Sequence, residues 1–255
     1  MPGFETLTVA LIVWIALVIL AAGVIQGALG LGFPTLATPL IAVATDIRTA
    51  IIVVLLPCLA SVLLNTFKGV PVRQVLARFW PMPLYMVVGA WIGTRIFIAY
   101  PEFPFALLLA GAILIYLNLD RLGHTDWPIV QAHEKTFGFV FGMIAGVSEG
   151  ATNVAAPALI VYYLAVGVQP TLMVQALNIC FVMGKTTQFI TFATVGDVTV
   201  TQWLVTLPLA LVAVAGSLYG IRIRDRIDAA TYRRWLRGAL FAIALILCAQ
   251  FLYSL

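Results

Sequence analysis

Residues 69–96 read GVPVRQVLARFWPMPLYMVVGAWIGTRI, and residues 196–223 read GDVTVTQWLVTLPLALVAVAGSLYGIRI. The two stretches align without a gap at a constant offset of 127, with eight identical pairs in 28 positions. The pairs are Gly69/Gly196, Pro81/Pro208, Leu84/Leu211, Val87/Val214, Gly89/Gly216, Gly93/Gly220, Arg95/Arg222 and Ile96/Ile223. Self-similarity at a fixed offset is the mark of a duplicated structural unit.

The similarity extends outward from this pair. Gly23 and Gly27 have the spacing of Gly142 and Gly146, and the run from Gly32 to Pro39 has that of Gly150 to Pro157. Cys58 matches Cys180 at the offset that pairs Thr49 with Thr171. The drifting offsets mean that the connecting helices differ by a few residues. The chain therefore divides into a first repeat over 1–119, a linker over 120–136 and a second repeat over 137–255.

Both repeats are built for lipid. Of the 255 residues 63% are hydrophobic and 9% charged, whereas an ordinary soluble domain carries about a quarter charged residues. A spanning helix needs roughly 20 apolar residues. Apolar runs between breakers predict ten helical elements: 7–29, 33–44, 49–67, 79–98 and 103–119, then 137–147, 151–166, 171–194, 203–221 and 235–252. Three of these are too short to span. The expected fold is an all-α polytopic membrane protein.

Lys and Arg near short loops mark the cytoplasmic side. The loop with Lys68, Arg73 and Arg78 is basic, and its counterpart over 196–202 has no Lys or Arg. The loop over 101–104 has none, and its counterpart carries Arg222, Arg224, Arg226, Arg233, Arg234 and Arg237. Equivalent loops thus face opposite sides, which predicts two inverted-topology repeats of about five elements each. The linker is cytoplasmic in this arrangement, and both termini lie on the other side. The net charge of +4 is a topology signal, so no nucleic-acid partner is expected.

Inverted repeats place substrate near the midplane, among broken or re-entrant helices at the repeat interface. Corresponding breaks occur over 30–35 and 148–153. The amides and positive dipole of a new helix N-terminus form an anion site, which nominates Gly30, Gly32, Phe33, Pro34 and Thr35 with Gly150, Ala151, Thr152 and Asn153. Ionisable groups deep in a membrane are costly and functional. Lys185 is the candidate cationic contact for an anion and Glu149 the candidate proton carrier, unless the two simply pair. Gln26, Gln175 and Asn178 are candidate polar contacts, alongside Asn65 and Gln188; interhelical hydrogen bonding is the competing account. Asp46 is expected to cap a helix and pair with Arg48, and Arg48 is also a candidate vestibule cation.

Cys58, Cys180 and Cys248 lie in apolar runs without metal-site spacing, and His124 and His133 fall in the linker. No metal, cofactor or catalytic set is expected, and the chain does not read as an enzyme. Trp80, Trp91, Trp127, Trp203 and Trp235 are candidate interfacial anchors.

At Gly27-Ala28-Leu29-Gly30-Leu31-Gly32-Phe33-Pro34, at Gly89-Ala90-Trp91-Ile92-Gly93-Thr94-Arg95 and over Gly146 to Pro157, the chain resembles the TauE/SafE family of sulfite and organosulfonate exporters. The resemblance implies a secondary transporter exporting a small sulfur-containing anion such as sulfite or sulfoacetate by alternating access. Glu149 offers it proton coupling. An anion channel using the same helix ends is the alternative. The expected partners are that anion and membrane lipid, with the chain as monomer or homodimer in the bacterial cytoplasmic (inner) membrane.

Overall fold

The computed structural model describes residues 8–118, 127–195 and 198–224. Within these the chain is helical. Thr8 caps the first helix, α1 (Val9–Leu29), by accepting from the Leu11 amide. The helix stops where Gly30 takes a left-handed φ of 76°. Gly32, at φ 108°, turns the chain into α2 (Phe33–Ala44), whose first turn holds Pro34. Both glycines adopt a conformation that a Cβ disfavours.

Asp46 opens α3 (Ile47–Thr66) by accepting from the Arg48 and Thr49 amides. A short amphipathic α4 (Val72–Phe79), unforeseen in the sequence, leads directly into α5 (Pro81–Ala99), and α6 (Phe105–Leu117) follows. After the linker come α7 (Pro128–Ala132), α8 (Glu134–Thr152), α9 (Ala156–Ala165), α10 (Pro170–Val195) and α11 (Val200–Ile223). Thr199 and Gln202 form a reciprocal capping box at the start of α11. The element expected over 235–252 lies outside the described residues.

Among the described residues α1, α3, α5 and α11 are long and apolar enough to cross a membrane. At about 1.5 Å per residue, the 26-residue α10 reaches as far. The chain is an integral membrane protein.

Two helix pairs frame the bundle, and glycines make both possible. Any Cβ on Gly23 or Gly27 of α1 would strike backbone of Ala213 or Ser217 on α11. Likewise, one on Gly146 or Gly150 of α8 would strike backbone of Met86, Gly89, Ala90 or Thr94 on α5. Contacts advance together along both chains, so α1 runs parallel to α11 and α8 parallel to α5. Small residues allow this backbone approach in membrane bundles.

The two helix pairs pack alike. Gly23 meets Ala213 as Gly146 meets Met86, and Gly27 meets Ser217 as Gly150 meets Ala90. By these contacts Gly23 takes the place of Gly146 and Gly27 that of Gly150, one helical turn beyond the match with Gly142 and Gly146 that spacing suggested. Gly138, Gly142, Gly146 and Gly150 recur every four residues, so spacing alone left the turn undetermined.

Direction follows from what meets at one face. The ends of α1, α3 and α11 and the start of α10 line a common cavity. α5 begins at that face too, because the 8-residue α4 is too short to cross. The start of α8 packs beside the start of α5 at a second cavity. Thus α1 and α11 run toward this face, and α5 and α8 run away from it.

Candidate functional site

The first break is a closed set of hydrogen bonds around Gln26. Its Oε1 accepts from the Phe33 amide at 3.2 Å, and its Nε2 donates to Gly30 O at 3.0 Å and to Asn178 Oδ1 at 2.9 Å. Asn178 Nδ2 in turn donates to Gly30 O at 2.8 Å and Val174 O at 2.9 Å. A bent backbone in lipid must satisfy its polar groups internally, and the two amides do so here. Thr35, in the first turn of α2, is buried with its hydroxyl unpartnered in the described residues.

This break forms one side of a cavity of about 300 Å³. Gly30, Asn65, Gln175, Asn178 and Arg224 supply its polar lining. Arg224 Nη2 donates to Gly27 O at 3.0 Å, so its cation sits at the C-terminal end of α1, where the helix dipole favours it. Gln175 donates to Thr66 O and holds the end of α3 against α10. Asn65 Nδ2 donates to Ser61 O at 2.9 Å, leaving the side-chain Oδ1 of Asn65 buried and unpartnered in the described residues.

About 10 Å further along α10, seven residues on from Asn178, stands a second polar cluster. Lys185 Nζ lies 2.7 Å from Glu149 Oε1, 2.6 Å from Asn153 Oδ1 and 3.2 Å from Gln188 Oε1. All four side chains are fully buried. Gln188 Nε2 donates to the carbonyls of Glu149 and Gly150, satisfying the end of α8. Asn153, left-handed at φ 64°, reaches into the first half by donating to Thr38 Oγ1 at 3.3 Å and Ile51 O at 3.4 Å. Lys185 and Glu149 do pair, and three acceptors surround the ammonium.

The second break is also later than expected. Helix α8 continues through Glu149, Gly150, Ala151 and Thr152, and the chain turns at Asn153 before α9 starts at Ala156. Gly150 breaks nothing, because mid-helix glycine is tolerated and here serves the contact with α5. Gly150, Ala151 and Thr152 therefore form the last turn of α8, not the first turn of a new helix. Counted from those glycine contacts, Gln26 stands where Glu149 does, Gly30 where Asn153 does and Pro34 where Pro157 does. Each break ends its helix on a left-handed cap and begins the next with proline in the first turn.

Gly30, Gln175 and Asn178 thus meet at the cavity, with Gln26, Gly32, Phe33, Pro34 and Thr35 beside it. Glu149, Asn153 and Lys185 meet in the buried cluster. Arg48 joins neither: it donates to the Phe97 carbonyl at 2.9 Å and the Ile98 carbonyl at 3.4 Å, and stacks 5.1 Å over the Phe97 ring. It caps the end of α5, and Asp46 bonds backbone amides and the Thr49 hydroxyl instead. Sequence reasoning read Arg224 only as a topology charge. It ranked Asn65 and Gln188 below the site residues and gave Thr38 no part.

Among the described residues no group of His, Cys, Asp and Glu could hold a metal ion. The family model described as "Sulfite exporter TauE/SafE" matches residues 15–247. No curated protein and no solved structure matches. With nearly all of its length matched, the chain belongs to the TauE/SafE family of membrane transporters.

Proposed function

We propose that this TauE/SafE member is a secondary transporter that exports a small sulfur-containing anion, sulfite or a short organosulfonate such as sulfoacetate, by alternating access. The observation that carries the reading is the relation of cavity to cluster. A cavity walled by Arg224 ends at the Gly30 break, and a fully buried Lys185–Glu149 pair lies two turns beyond it on the same helix. A cavity with a cation in its wall, and a buried charge pair further along the same helix, suit a carrier that passes an anion from one to the other.

The two halves act as inverted repeats. In support, α1 and its packing equivalent α8 run in opposite directions, as do α5 and α11. The cavity opens at the face with Lys68, Arg73, Arg78 and Arg224, the cytoplasmic side by the positive-inside rule. The chain belongs in the bacterial inner membrane on this reading.

Glu149 and Lys185 provide the proton coupling. An anion that takes Lys185 as its counter-ion displaces the Glu149 carboxylate from its ion pair. Anion movement is thereby tied to Glu149, the proposed proton carrier. The test is flux in proteoliposomes of sulfite, sulfoacetate, taurine, sulfate and chloride, with and without a pH gradient. Saturable movement of sulfite or a sulfonate that responds to the gradient is expected. Fast, unsaturable chloride flux would identify a channel and overturn the proposal.

A further inference from the structure

A second cavity, of about 790 Å³, lies where the starts of α5 and α8 meet α4 and α9. We propose that it is a binding site for the headgroup of an anionic phospholipid of the cytoplasmic leaflet. Its rim carries Arg78, His133 and Lys135 against a single carboxylate, Glu134. Arg78 lies 3.6 Å from Glu134 and 4.9 Å over the Phe79 ring, and half of its side chain remains exposed. Lys135 is exposed and has no ion-pair partner among the described residues. The acid is thus matched once, and a cation is left over to meet a phosphodiester. Basic pockets between membrane helices on the cytoplasmic side hold such headgroups.

The surroundings favour a lipid over a water-soluble phosphate. Trp80, on the rim, is 60% exposed and suits the headgroup level. Leading away from the cavity, Leu84 and Val88 on α5 and Phe139, Val140 and Ile144 on α8 are all exposed. The Tyr85 and Phe139 rings close the seam between the helices, with centroids 5.2 Å apart. An acyl chain can lie along this strip while its phosphate stays between Arg78 and Lys135. The site would join elements of both halves, since α4 and α5 belong to the first and α8 and α9 to the second.

Native mass spectrometry of the full chain in detergent tests this, with added phosphatidylglycerol and phosphatidylcholine of identical acyl chains. Wild type should retain phosphatidylglycerol preferentially. The Arg78→Gln/Lys135→Gln variant should lower that affinity roughly 10- to 30-fold, the factor for removing two cations at a headgroup surface. Ala132→Trp, which fills the cavity without changing charge, should lower it too. Lys68→Gln/Arg95→Gln, which removes equal charge elsewhere, should not. Equal retention of the two lipids, or an undiminished affinity in both groove variants, would refute the site. Full displacement of the lipid by soluble glycerol phosphate would show a free-phosphate site and overturn the lipid assignment.

Discussion

Replacing Lys185 with Met removes the only cation within reach of Glu149 among the described residues. Neither carboxylate oxygen has another hydrogen-bond partner there. Asn153 Oδ1 and Gln188 Oε1 lose a donor at the same time. Breaking a buried pair by removing one member costs about 3–5 kcal/mol. The two stranded amide oxygens are part of that cost and do not simply add to it. Native stabilities are about 5–15 kcal/mol, so Lys185→Met should fold but unfold much earlier. Glu149→Gln alone strands the ammonium and should cost a similar amount. Removing both charges together is close to neutral in comparable pairs, so Lys185→Met/Glu149→Gln should recover most of the loss, with a coupling energy of at least about 2 kcal/mol. Denaturant unfolding in micelles measures all four proteins, and proteoliposome flux is measured on the same samples. A double variant as unstable as the sum of the singles would refute the coupling. One that is stable and transports like wild type would leave the pair structural and remove Glu149 from the mechanism.

The parallel helix contacts make a sharper test of packing. Gly27→Ala and Gly150→Ala each place a Cβ against a carbonyl oxygen, of Ser217 and Ala90 respectively, and should destabilise by about 1–3 kcal/mol, read as lowered unfolding midpoints. Gly111→Ala, with nothing within 4 Å of the new Cβ, should instead stabilise by about 0.5–1 kcal/mol. Arg48→Gln frees the Phe97 and Ile98 carbonyls and should lower stability by about 1–3 kcal/mol, with the half-saturating anion concentration unchanged in flux assays. Arg224→Gln should raise that concentration several-fold and flatten its salt dependence, because the cavity loses a cation that is partly open to screening.

Helix α2 was legible to the residue, because Gly30, Gly32 and Pro34 punctuate the sequence where the backbone must bend. The start of α11 was placed at 203, because the apolar run begins at Trp203, while the Thr199/Gln202 capping box starts the helix at Val200. The second break was misplaced for an equally local reason. Gly150 looks like a breaker, yet the turn is made by Asn153, a residue that tolerates the left-handed conformation without advertising it. Helix α4 escaped notice because Arg73, Gln74 and Arg78 interrupt its apolar residues, so a search for apolar runs passes over a short helix that buries only Val75 and Phe79. Arg224 was read only as a topology charge; its position in the cavity depends on α1 packing beside α11, a contact between residues almost two hundred positions apart. Lys185 and Glu149 were found because an ionisable residue in an apolar run is conspicuous. That both also hold Asn153 and Gln188 was not visible in either segment.

On the inverted-repeat reading, the two helix breaks are not chemical copies of each other. Gln26 and Glu149 occupy equivalent places, four residues before a left-handed cap, and each is engaged by a side chain from α10: Asn178 in one case, Lys185 in the other. The helix equivalent to α10 in the first half is α3, by the match of Cys58 with Cys180, and its buried face is mostly apolar: Val53, Val54 and Val62 with Cys58 and Ser61. One helix therefore serves both breaks. At the first break the pairing is neutral, amide to amide, and at the second it is ionic. If both breaks were neutral, binding an anion would create an uncompensated charge in a low-dielectric site. If both were ionic, two carboxylates would have to change protonation together. On the proposed carrier reading, one neutral and one ionic break would leave an anion from the Arg224 cavity a single exchangeable counter-charge, Lys185. On that reading the response of flux to a pH gradient depends on Glu149 and not on Gln26.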